Sequence, residues 1–98
     1  MIIKFRKRIN HIDSQILALL EKRLSLTNEL LDYKAKNDIK IEDHDRETEI
    51  IDRLTSEVSE EYKKQISRIV IGNIWNSIFT MTKKRIWLGD LYHSRKAK

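Results

Sequence analysis

The chain has 98 residues, 40% hydrophobic and 36% charged, which fits one folded domain with a polar surface. It has no Cys and three scattered histidines, so a disulfide framework and thiolate chemistry are excluded and a zinc site is disfavoured. The net charge of +5, taken as a bare total, points toward a nucleic-acid partner.

With two glycines and no proline, the sequence argues against a sheet with tight turns and for an all-helical fold. The first element is long. Ile9, Ile12, Ile16, Leu19, Leu26, Leu30 and Tyr33 recur at a spacing of three and four, the stripe of a helix buried along one side. Nothing between Phe5 and Lys36 interrupts it. Such a helix of ~32 residues is ~48 Å long, against a radius of gyration of about 13 Å for a compact domain of this length. The rest of one chain cannot cover it, so a second copy is expected along it, most simply in a twofold homodimer.

Lys36 to Glu42 reads as a polar loop. Asp43 or Asp45 then offers a helix N-cap, and Glu47, Ile50, Ile51, Leu54 and Val58 form the stripe of a short second helix. Ser59-Glu60-Glu61 predicts a helix restart by the same capping logic. Ile66, Ile69, Val70, Asn73, Ile74, Ser77, Ile78 and Met81 are expected to form the inner face of a long third helix that runs to about Trp87, before Gly89. The expected layout is a long, a short and a long helix in residues 1–88, followed by a basic tail, 89–98. No apolar run approaches the ~20 residues of a membrane span, and no apolar stretch follows the basic start, so no secretion signal is read. A cytoplasmic protein is expected.

The charge is unevenly spread. Residues 83–98 hold six basic residues against Asp90, and residues 1–82 balance to zero. Inside that neutral body, several stripe positions are polar. Arg23 falls between Leu19 and Leu26, and Lys34, eleven residues on, points within ~20° of it. Glu47 lies one turn before Ile51, and Asn73 and Ser77 lie on the third stripe. Each is costly to bury without a partner. These groups either pair with one another and snorkel, or they surround a ligand. Two cations against one Glu favour an anionic ligand within the helix bundle. Arg6, seventeen residues before Arg23, faces about 100° away. It is a solvated residue of the basic patch Lys4-Arg6-Lys7-Arg8, or it reaches the pocket of a second copy.

Arg6-x-x-Ile9-x-x-Ile12-Asp13-x-x-Ile16-x-x-Leu19-Leu20-x-x-Arg23, then Lys34, then Asp43-x-x-Arg46-Glu47, resembles the all-helical class of chorismate mutases. The third helix resembles the family more weakly, through Ile66-x-x-Ile69 and Ser77. The resemblance implies three helices in an intertwined homodimer that converts chorismate to prephenate, in the shikimate pathway to the aromatic amino acids. It implies no metal and no cofactor. It assigns Arg23 to a substrate carboxylate in the same subunit and Arg6 to the other carboxylate across the dimer. Lys34 is assigned to the ether oxygen and a carboxylate, and Glu47 to the substrate hydroxyl, with Asp43 nearby. Arg46 is implied as a supporting ion-pair residue and Ser77 as a contact at the carboxylate end. Four residues after that serine the family usually carries Gln or Glu, which shares the ether oxygen with the lysine. Here the position is Met81, whose thioether donates no hydrogen bond. Such a loss costs on the order of 2.7–4 kcal/mol of transition-state stabilisation, unless Thr80 or Thr82 substitutes. Isochorismate-pyruvate lyase and 4-amino-4-deoxychorismate mutase share the fold and stay open as alternatives. So does a non-enzymatic helical protein that uses its basic tail.

Overall fold

The computed structural model describes residues 1–87, so the tail from 89 and its boundary lie outside the described residues. The described residues are helical, with no strand: α1 spans Ile2–Lys36, α2 His44–Glu57 and α3 Arg68–Trp87, with a single 3-10 turn at Glu60–Tyr62. No helix among them is long and apolar enough to cross a membrane.

Helix α1 ends where the periodicity stops. Asp38 adopts a left-handed backbone conformation with φ of 54°. The Ile39 N–H then reaches back to the Lys34 carbonyl at 2.9 Å, the six-to-one bond of a Schellman turn. An aspartate tolerates this region better than most non-glycine residues. The turn reverses the chain, and Asp43 opens α2 by accepting from the Arg46 backbone N–H at 2.9 Å.

The expected restart at Ser59 yields only the 3-10 turn, not a helix. Helix α3 begins at Arg68, with the Ser67 hydroxyl accepting from the Val70 N–H at 3.4 Å. Ile66 therefore precedes the helix. Arg68 also pairs with Asp52, which ties the start of α3 to α2.

Among the described residues the core is small: Leu31 from α1, Ile50 from α2, and Ile71 and Phe79 from α3. Helix α2 buries the stripe expected of it, with Ile50 buried and Glu47, Ile51, Leu54 and Val58 half-buried. The two long helices do not. Helix α1 turns Leu20, Leu24, Thr27 and Leu31 inward, while Ile9, Ile12, Ile16, Leu19, Leu26, Leu30 and Tyr33 stay exposed. Helix α3 turns Ile71, Trp75, Ile78, Phe79 and Thr82 inward, while Ile69, Val70, Asn73, Ile74 and Ser77 stay exposed. The reason is common to both helices. Each carries apolar side chains over more of its circumference than one stripe, and the most regular stripe in sequence is the one the chain leaves open. The principal extents of 60 × 28 × 17 Å follow from α1, whose 35 residues rise about 52 Å.

Ile71 of α3 is 3% exposed. Ile71→Ala is expected to cost about 2–5 kcal/mol, read as a lower midpoint in denaturant unfolding at an unchanged slope.

Candidate functional site

The C-terminal half of α1, the start of α2 and the end of α3 converge on a cavity of about 190 Å³. Helix α1 contributes Arg23, Thr27, Leu30, Leu31 and Lys34. The loop and α2 contribute Ile41, Glu42, Asp43, Arg46, Glu47 and Ile50. Helix α3 contributes Phe79, Thr82 and Lys83. Its size suits a small molecule, below the ~300 Å³ at which drug-sized pockets begin.

Arg23 and Lys34 are eleven residues apart and so share a face of α1, and both are half-buried. The Arg23 guanidinium lies over the Phe79 ring, 5.8 Å from its centroid, a cation–π contact that fixes its direction. Partial burial, and next the positive charge of Arg46, hold the Arg23 pKa below its ordinary value. Arginine stays protonated in proteins, so this shift expresses a strained cation that an anionic ligand would relieve. Among the described residues neither Arg23 nor Lys34 has a carboxylate in an ion pair.

The acidic groups are committed elsewhere. Asp43 Oδ1 holds the α2 N-cap. Arg46 Nη1 donates to Glu49 Oε1 at 2.7 Å, away from Arg23. Glu42 is half-buried at the cavity, with Oε2 3.7 Å from His44 Nε2. Glu47 faces inward and meets Lys83: Nζ lies 3.0 Å from Oε2 and 3.3 Å from Oε1. The side chains of this pair are 23% and 20% exposed. His44 Nδ1 stands 3.4 Å from Glu47 Oε1 on the solvent side.

The structure thus brings together Arg23, Lys34, Asp43, Arg46 and Glu47, five of the seven residues singled out by sequence. Arg6 is exposed on α1, about 26 Å along the helix axis from Arg23, and does not reach the cavity of its own chain. Ser77 does not line the cavity either; its hydroxyl is exposed and donates to the Asn73 carbonyl at 3.1 Å. Met81 packs beside Leu20, Leu24 and Ile78, and Thr80 is exposed. The geometry explains both positions. Phe79, Thr82 and Lys83 share one face at i, i+3 and i+4, and Ser77 lies 200° from Phe79.

Phe79 and Lys83 are the residues the sequence reading passed over. Lys83 lies in the third helix, as expected, but its charge was grouped with the basic segment 83–98, and the structure places it at the cavity. The available signal was the pairing of an aromatic and a cation four residues apart on an otherwise apolar helix.

The family model for chorismate mutase type II matches residues 5–86. No curated protein and no solved structure matches the chain.

The Asp43 cap has a testable signature. Asp43→Ala is expected to lower stability by about 1 kcal/mol, and Asp43→Asn by much less, because Asn caps as well as Asp. Thermal unfolding of the two variants side by side checks this.

Proposed function

From the premise that the chain belongs to the chorismate mutase type II family, we propose that it converts chorismate to prephenate in the cavity between α1, α2 and α3. The observation that supports this reading is the pair of half-buried cations, Arg23 and Lys34, which form no ion pair among the described residues, in a pocket whose carboxylates Glu42, Asp43 and Glu47 are engaged by His44, the α2 N-cap and Lys83. A small dianion is the complement of that arrangement.

The rearrangement is concerted within one molecule. The ether C–O bond breaks as a C–C bond forms, and negative charge builds on the ether oxygen. No nucleophile or proton-transfer pair is required. Arg23 takes one substrate carboxylate, with the planar fork suited to two parallel hydrogen bonds. Lys34 meets the ether oxygen and stabilises the charge that develops there. Glu47 accepts from the ring hydroxyl, and Arg46 keeps the α2 wall in place through Glu49. Held at both ends, the substrate is confined to its folded, reactive conformer.

The second carboxylate calls for a further cation, and in this reading it is Arg6 of a second copy. The open stripe of α1 supports that assignment. Covering the exposed part of its seven large side chains is worth roughly 1 kcal/mol each. An antiparallel copy would bring the N-terminal half of its α1 against the C-terminal half of the first. The assembly proposed is a homodimer with the site shared between copies.

Purified protein is expected to consume chorismate and yield prephenate, with isochorismate as the parallel substrate that tests the lyase alternative. Arg23→Ala is expected to abolish turnover, and Lys34→Ala to lower kcat by about 10²–10³. An absence of chorismate turnover at high enzyme concentration sinks the assignment. The shared site has its own test. Arg6→Ala and Arg23→Ala, each inactive alone, are mixed, unfolded and refolded together. A statistical mixture of dimers restores about one quarter of the wild-type sites, whereas sites confined to one chain stay dead.

A further inference from the structure

Among the described residues, the Glu47–Lys83 pair is the one ion pair that both lines the cavity and joins two helices across it. Neither partner is needed to neutralise a buried charge elsewhere, and both side chains are about four-fifths covered. The carboxylate has about four lone-pair sites. Lys83 donates to Oε1 and lies in ion-pair contact with Oε2, and His44 stands near Oε1, which leaves acceptor capacity on the carboxylate.

We propose that Lys83 is a specificity-determining residue: with Glu47 it reads a neutral hydroxyl on the substrate and rejects an ammonium at the same place. The proposal rests on the reading above, in which Glu47 meets the substrate hydroxyl. The chemistry is a matter of donors and acceptors. A hydroxyl both donates and accepts, so it can donate to Glu47 and accept from Lys83 at once. An ammonium only donates. It matches Glu47 but faces the Lys83 ammonium with no acceptor to offer. Arg23, Lys34 and Arg46 line the same cavity with Glu42 and Asp43, so with Lys83 four cations stand against three carboxylates, and the carboxylate at the hydroxyl position, Glu47, already shares its charge with Lys83. Like charges brought together in a partly desolvated site are a means of exclusion, not merely a weaker attraction. The pair therefore separates a hydroxyl-bearing dicarboxylate from its amino-bearing analogue, two molecules of nearly the same shape.

The test compares kcat/KM for chorismate and for 4-amino-4-deoxychorismate in the wild type and in Lys83→Gln, Lys83→Met and Lys83→Arg. The wild type is expected to favour the hydroxyl compound by roughly tenfold or more. Lys83→Gln removes the charge and supplies an amide carbonyl that can accept from the amine, so the preference is expected to fall by about tenfold. Lys83→Met, which removes charge and hydrogen bonding together, is expected to relax it less, and Lys83→Arg to retain it. A preference unchanged in both Lys83→Gln and Lys83→Met overturns the proposal, as does a wild type that handles the amino compound equally well. Calorimetric binding of the same two compounds separates this from the activity assignment. If neither compound turns over, the activity reading fails, and the ratio of the two Kd values in wild type and Lys83→Gln still decides the role of Lys83. Equal Kd values, or no binding of either compound, overturn it.

Discussion

A 35-residue α-helix is about 52 Å long, and the rest of the chain is too short to cover it. Most of what the molecule does follows from that constraint. Helix α3 packs on α1 and α2 packs on α3, and among the described residues they bury four side chains as a core. The N-terminal half projects, with Phe5, Ile9, Ile12 and Ile16 in contact with water. This exposed stripe is the face on which the proposed second copy would pack. The same projection carries Arg6 away from its own cavity.

The cavity lies at the junction where all three helices meet, and its chemistry comes from charges that a core would not normally admit. Arg23 is held by Phe79 and unsettled by burial and by Arg46. Arg46 is drawn away by Glu49, and Asp43 is occupied by the helix cap. Each commitment leaves the inward cations less compensated. In the proposed reading, these local hydrogen bonds favour an anion in the cavity, with groups fixed before the ligand arrives. Glu47 and Lys83 form the one internally balanced element, and they present a donor and an acceptor side by side.

Much of the first two helices was legible in the sequence. The 3–4 spacing of α1, the polar break after Lys36 and the Asp43 cap are local signals, and local signals survive folding. Arg23, Lys34 and Glu47 stood out as charges on apolar stripes, and the family resemblance added Asp43 and Arg46; all five line one cavity because α1 and the start of α2 are joined by a short turn. Helix α3 was read less well. Its apolar residues surround the axis, so periodicity could not tell the face turned to α1 and α2 from the face left open. Ser77 and Met81 were accordingly placed toward the cavity, and Phe79 and Lys83 were not.

The sequence by itself determined that the chain is helical, that its first helix is too long for one domain to bury, and that cations would stand among apolar residues. These are consequences of composition and of a 3.6-residue period. Only the tertiary structure decided which α3 residues complete the cavity. Glu47 and Lys83 are 36 residues apart, and the break between Val58 and Ser67 sets the rotation of α3 about its axis. That rotation follows from how Ile71 and Phe79 pack, and two residues' difference in register moves a side chain by 200°. Packing thereby turned a lysine of the basic C-terminal segment into the partner of the inward carboxylate.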